Sequence, residues 1–119
     1  MTQTQMPSIQ VIPRMLADDF DLMDQLFSFA IFVLNNGNAP VTIKEVGLMR
    51  PKAQKTQLKS PFLDGIKALP AVLQPRAQFR VIFHPEQDAR DVYVSAYVET
   101  EDGTIIEGKS YDLTLLSEG

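Results

Sequence analysis

The 119-residue chain has no cysteine, no tryptophan and a single histidine. Without cysteine it can form neither a disulfide framework nor a thiolate metal site, and it has no thiol nucleophile. One histidine leaves little basis for a histidine-rich metal site or a catalytic dyad. Eleven Lys and Arg against 15 Asp and Glu give a formal net charge of −4 at pH 7, whereas duplex-binding proteins are usually basic. We therefore expect no nucleic-acid partner.

The chain also lacks a long apolar run. The longest, residues 26–34, spans nine residues and is interrupted by Ser28, whereas a membrane helix needs about 20. The start, MTQTQMPS, has neither the basic nor the apolar region of a signal peptide. These absences predict a cytoplasmic protein with no membrane partner. Residues 1–7 are expected to form a disordered tail and residues 8–119 a single domain.

Short β-like segments separated by turn residues dominate the chain. About seven such segments with turns every eight to twelve residues are typical of an antiparallel β-sandwich, so the predicted fold class is all-β. The segments are 9–16, 26–34, 41–49, 55–59, 79–83, 92–99 and 104–116. The clearest alternation is at 92–99, where Val94, Ala96 and Val98 share one face.

Several glycine, proline and asparagine residues predict turns, a bulge or an edge strand at particular positions. Asn35–Pro40 contains residues that tolerate a positive φ, followed by a proline, and it reads as a hairpin connection to the strand at 41–49. Gly47 inside that strand indicates a bulge or a close backbone approach. Glu101–Gly103 is typical of a tight turn. Pro13 places the first strand at a sheet edge or a bulge.

One segment, residues 16–25, departs from the β pattern. Its apolar residues step by three and four, with aspartates opposite them, which allows one short amphipathic helical segment. An extended crossover is the alternative.

Two linked segments carry a family resemblance. They are FVLNNGNAPVTIKEVGL and LPAVLQPRAQFRVIFHP, within residues 26–85. The order of strand, Asn-x-Gly, Pro-Val-x-Ile, Leu-x-Pro and an alternating strand ending in Phe-x-Pro resembles the immunoglobulin-like group with major-sperm-protein and ASH-type domains, and similar bacterial and phage modules. The resemblance implies a seven-stranded Ig-like sandwich used in scaffolding, docking or virion assembly, located in the virion if phage-encoded. It carries over no catalytic residue.

Three sets of residues have both a functional interpretation, in ligand binding or catalysis, and a structural one. Four carboxylates can offer oxygen ligands to Ca²⁺ or Mg²⁺, although their spacing does not match an EF-hand and an acidic helix start is the simpler interpretation. They are Asp18, Asp19, Asp21 and Asp24. His84 is interpreted as a turn residue, because no nucleophile motif accompanies it. Tyr93 and Tyr97 share a strand face, where they either stack on a sugar or peptide or cover the rim of the core.

Charge is distributed unevenly along the chain. Residues 44–80 hold eight Lys and Arg and two Asp and Glu, a net charge of +6, whereas residues 81–119 carry −7. Unless the folded chain mixes these blocks, a basic surface centred on residues 50–59 is expected to meet an acidic partner. Its residues are Arg50, Lys52, Lys55 and Lys59. The partner is an acidic protein surface or the acidic end of another copy, a head-to-tail contact that makes a homo-oligomer.

The 26–34 segment is apolar on both faces, although one face of a sandwich strand normally meets water. Exposing a side chain such as Phe32 would forgo roughly 1.5–3 kcal/mol of burial. Either the 51–74 stretch or the 16–25 segment covers it, or another chain does, which makes Phe32 a candidate contact residue.

These observations favour a non-catalytic protein–protein interaction or assembly module, a structural or accessory protein without a cofactor. A carbohydrate- or metal-binding β-sandwich that uses the tyrosines or the aspartates is the alternative. A small hydrolase is the third hypothesis, since paired carboxylates on strands can cleave glycosidic bonds.

Overall fold

The computed structural model describes residues 8–16, 28–58, 61–83, 93–111 and 113, and it is all-β. Nine strands and one tight turn, Pro51–Ala53, make up the regular structure of these residues. The strands are β1 (Ile9–Leu16), β2 (Ser28–Asn35), β3 (Val41–Arg50), β4 (Gln54–Gln57), β5 (Phe62–Asp64), β6 (Ala71–Leu73), β7 (Gln78–Phe83), β8 (Ser95–Thr100) and β9 (Ile105–Gly108).

Two antiparallel sheets pack face to face. The first sheet has the strand order β1-β2-β7-β5, and the second has the order β4-β3-β8-β9 with β6 also paired to β3. This arrangement confirms the predicted all-β antiparallel sandwich. The two strands beyond the expected seven are β5 and β6, three residues each. Propensity over three residues is too weak a signal to predict them within the proline-rich stretch 51–74.

The core lies between the sheets and follows the period of two in β1, β2, β7 and β8, whereas the pairing of β3 with β8 shifts register between Ile43 and Glu45. From the first sheet it takes Val11, Phe29, Ile31, Val33, Phe79, Val81 and Phe83; from the second, Ile43, Val46, Leu48, Ala96 and Val98. Phe29 and Phe83 meet with ring centroids 5.7 Å apart at an interplanar angle of 51°, a tilted arrangement that aromatic pairs favour. Ala96 and Val98 therefore face inward, as their alternation predicts.

The connection at residues 35–40 is not a hairpin. β2 pairs with β1 and β7 in the first sheet, whereas β3 belongs to the second, so the segment carries the chain from one sheet to the other. The fully buried Asn35 holds this crossover. Its side-chain nitrogen donates to the carbonyls of Ala39 and Leu73, both at 2.9 Å, and its side-chain oxygen accepts from the N–H of Gly37. These bonds replace the ladder that a hairpin would provide.

The edges formed by β1 and β9 close one side of the sandwich at Gly108. An ideal Cβ on Gly108 would lie 1.6 Å from the carbonyl oxygen of Val11, so only glycine fits there. β9 ends at this residue, and the predicted continuation to residue 116 is wrong over the described positions. Ser110 redirects the chain: its hydroxyl donates to the Pro13 carbonyl and accepts from the N–H of Leu113, in the manner of a helix N-cap.

The structure also bears on the predictions made for the 101–103 turn, for Gly47, for Pro13 and for residues 16–25. Glu101–Gly103 forms the turn of the β8–β9 hairpin, with Gly103 at φ +89°. Gly47 is a close approach, because a Cβ there would lie 2.7 Å from the Thr56 carbonyl oxygen and 2.8 Å from the Tyr97 ring. Pro13 lies in β1, an edge strand of the first sheet. Leu16 ends β1 as strand, and the rest of the expected helical segment at 16–25 lies outside the described residues.

Candidate protein interaction surfaces

The outer face of the second sheet carries a cluster of paired charges. Lys55 on edge strand β4 forms ion pairs with Glu99, and with Glu45 at 3.7 Å. Lys44 approaches Glu99 at 3.4 Å. The ammonium group of Lys55, expected from sequence to meet an acidic partner, is thus already balanced by carboxylates of its own sheet. Folding mixes the basic and acidic blocks at this face.

The Lys55–Glu99 pair makes stability depend on pH. The hydrogen bond from Lys55 lowers the pKa of Glu99 below 4.5, and the same bond raises the pKa of Lys55 above 10.5. A carboxyl with a depressed folded-state pKa stabilises the fold above its unfolded pKa, and that contribution disappears as pH falls through the folded pKa.

We expect Glu99→Gln to lower the free energy of unfolding at pH 7, and the difference from wild type to shrink as the pH drops below 4.5. Urea denaturation at pH 7 and at pH 3 measures it. Lys67→Gln is the control, because Lys67 is exposed and makes no ion pair with the described residues. An undiminished difference at pH 3 would show that Glu99 acts through packing instead of charge.

Tyr97 is fully buried beneath this charged cluster, which fits the structural interpretation of this tyrosine and not ligand stacking. Its ring covers Gly47, its cross-strand partner, and the Lys55 ammonium lies 5.7 Å from the ring centroid. Aromatic cover of a strand glycine is a known sheet-stabilising contact. Burial, followed by the negative charge of Glu45, raises the pKa of Tyr97. Its ring is not available for stacking on a ligand.

Arg50 and Tyr93 form a second aromatic contact where β3 ends. The guanidinium carbon lies 5.9 Å from the Tyr93 ring centroid, and both residues are half-buried. This distance is within the range of a cation–π interaction. Arg50 and Tyr93, both predicted to contact a partner, therefore already contact each other within the molecule.

Lys52 is an exposed residue of the predicted basic surface. It lies in the tight turn Pro51–Ala53, whose three residues are all exposed. Lys52 and Ala53 adopt φ values of +65° and +56°, a left-handed backbone that costs a non-glycine residue about 1–2 kcal/mol. Lys52 makes no hydrogen bond or ion pair with the described residues. We call this turn the basic tip; its backbone has a defined left-handed conformation, and Lys52 has no ion-pair partner in the part of the chain that is described.

Phe32 lies on the outer face of the first sheet and is half-buried. Its cross-strand neighbours are Ile12 and Arg80, and the Arg80 side chain pairs with Asp64 at 2.5 Å. The described strands of the 51–74 stretch pair at sheet edges, β5 with β7 and β4 and β6 with β3. Phe32 also lines a small open cavity together with Asp64, Gly65 and Arg80.

An open groove of about 1270 Å³ lies at the end of the sandwich opposite the basic tip. It runs between the crossover 38–42 and the β8–β9 hairpin. Its apolar lining residues are Ile9, Ala39, Pro40, Val41, Ile105 and Ile106. Glu101, Asp102 and Glu107 also line it, and no described lining residue is basic. We call this feature the acidic groove, and sequence reasoning did not find it.

Hydrogen bonds fix the charge on the groove's hairpin. The Thr100 hydroxyl and, at 3.1 Å, the N–H of Thr104 donate to Asp102. These bonds, that from Thr100 foremost, lower the pKa of Asp102. Glu101 is exposed and without a cation partner among the described residues. Two negative charges therefore stand beside Ile105, which is 42% exposed.

Other sequence-predicted residues lie outside the described residues. They are Lys59, His84, Asp18, Asp19, Asp21 and Asp24. Within the described residues no group of three or more His, Cys, Asp and Glu side chains is placed to hold a metal ion. The described residues also contain no helix with the length and apolarity of a membrane span.

The chain has little detectable similarity to known proteins. No protein-family model matches the chain, and no curated protein matches it. One similar solved structure is the X-ray structure of Northeast Structural Genomics Consortium target SoR45. The two chains are 12% identical with a TM-score of 0.43, over 85% of this chain and 80% of the other. Neither a family nor a function follows from this likeness.

Proposed function

We propose that this protein is a non-catalytic protein–protein interaction and assembly module, an Ig-like sandwich whose partner is another copy of itself. The observation that carries the proposal is the separation of two surfaces of opposite charge, neither of which has an ion-pair partner among the described residues. The basic tip follows the last residue of β3, and the acidic groove is lined by Val41 and Thr42 at the start of the same strand. Such surfaces steer association and set its orientation.

The two surfaces lie too far apart to satisfy each other within one molecule. Thr42 and Arg50 are eight residues apart on one extended strand, which corresponds to about 26 Å at 3.3 Å per residue. Because Lys52 and Glu101 each lack a cross-charge partner in the described residues, both remain available to another molecule. The complementarity therefore favours an intermolecular contact.

The placement of the ionisable groups supports a binding role over catalysis. Lys44, Glu45, Lys55 and Glu99 pair with one another on an outer sheet face, where their charges offset each other. The alternative of a carbohydrate-binding module loses support, since Tyr97 is buried under Lys55. We further propose that the module works in the cytoplasm, or in a virion if it is phage-encoded.

Light scattering of the full chain across salt concentration tests this proposal. We expect the average mass to exceed that of the 13.3 kDa monomer at low salt and high protein concentration, and to fall toward it as added salt screens the charges. A chain that stays monomeric in all of these conditions contradicts the assembly function.

A further inference from the structure

We infer that the acidic groove receives the basic tip of a second copy, so that the copies join head to tail. This inference rests on the proposed function and specifies its contact. It makes Lys52 the central donor, Glu101 and Asp102 its acceptors, and Ile105 the apolar wall beside them.

The groove combines an apolar lining with a charged rim, as a protein docking site does. Ile9 is buried in its floor, whereas Ile105 on edge strand β9 leaves a large apolar side chain in contact with water. Above them the hairpin residues Glu101 and Asp102 are exposed and carry two negative charges. An occupant with a small apolar surface and a central cation would match both features.

The basic tip has that composition. Pro51 and Ala53 flank Lys52, and all three side chains are exposed. Proline at the start of the turn limits its backbone freedom, so less conformational entropy is lost when it docks. The nearby cations Arg50 and Lys55 already have aromatic or carboxylate partners, which leaves Lys52 as the cation with no partner among the described residues.

Charge complementarity selects the second copy over the other occupants of such a groove. The groove contributes carboxylates and no described basic residue, and the tip contributes a cation with no described acid paired to it. Because the tip and the groove are different surfaces of one molecule, the contact is heterologous. A heterologous contact leaves one tip and one groove free at the ends of every chain of copies, so it builds open oligomers unless a ring closes.

A mixing experiment by analytical ultracentrifugation tests the contact with two variants of the full chain. Lys52→Glu removes the tip's cation and keeps the groove, whereas Glu101→Lys alters the groove and keeps the tip. We expect each variant alone to self-associate at least about tenfold more weakly than wild type. Lys67→Glu makes the same charge change at another exposed lysine without a described partner, and we expect it to behave as wild type does.

A one-to-one mixture of the two variants distinguishes the contact from a general charge effect. The intact tip of Glu101→Lys fits the intact groove of Lys52→Glu, and the altered tip and altered groove carry exchanged charges that also attract each other, so the mixture should recover the assembly that neither variant shows alone. Circular dichroism confirms that each variant is folded. If wild type assembles and both variants assemble equally well, the contact is wrong and the assembly function stands. A monomeric wild type overturns both.

Discussion

Gly108→Ala is expected to lower the free energy of unfolding by at least about 3 kcal/mol. Its added Cβ would lie 1.6 Å from the carbonyl oxygen of Val11 and 2.6 Å from the carbonyl carbon. Both neighbours are backbone atoms, so no side-chain rotation relieves the clash. The strands β1 and β9 must instead move apart where the two sheets meet. Urea denaturation monitored by circular dichroism measures the loss.

Gly103→Ala is the matched control for this substitution. Gly103 has a positive φ of +89°, but an added Cβ would meet no atom within 4 Å. Its cost is therefore the backbone term alone, about 1 kcal/mol. Similar losses for the two variants would contradict the account, since they would mean that β1 and β9 do not approach each other closely.

Asn35→Ala is expected to cost about 3 kcal/mol. The side chain is fully buried, and its removal leaves the carbonyls of Ala39 and Leu73 and the N–H of Gly37 without these partners. Each unsatisfied buried group costs about 1–3 kcal/mol, partly offset where water reaches it. Thermal or urea denaturation measures the effect.

The neighbouring Asn36→Ala separates burial from residue type. Asn36 is exposed and donates one side-chain hydrogen bond, to Gln10 at 2.8 Å. We expect a change within about 0.5 kcal/mol. Because Asn35 also anchors the crossover that lines the acidic groove, its substitution should weaken self-association as well as stability. Equal losses for Asn35→Ala and Asn36→Ala would refute the role given to the buried amide.

The period of two in the sequence predicts which side chains enter the core. Ala96 and Val98 face inward, as expected, because alternation is a property of the strand itself. The 35–40 connection was predicted wrongly because its Asn and Gly residues suit a hairpin and a crossover equally well. What decides between them is the bond from Asn35 to Leu73, 38 residues away, which no local pattern contains.

The candidate surfaces were only partly predictable for the same reason. The sequence singles out Lys52 and Lys55 alike, but folding pairs Lys55 with Glu99, 44 residues later, and leaves Lys52 without a described partner. The acidic groove assembles from three separate segments, near residues 8–9, 38–42 and 100–107. The sequence left two interpretations of Tyr97 open, ligand stacking and core cover, because its cross-strand neighbour Gly47 lies on another strand and local patterning does not contain that contact.

Zero-length carbodiimide crosslinking of a mixture of ¹⁴N- and ¹⁵N-labelled protein, read by mass spectrometry, tests the central claim most directly. It joins an ammonium to a carboxylate only when the two groups touch, and mixed-isotope products identify bonds between different molecules. We predict mixed-isotope crosslinks from Lys52 to Glu101 or Asp102, and their disappearance at high salt. Crosslinks confined to pairs within one molecule, such as Lys55 with Glu99, would contradict a head-to-tail contact between tip and groove.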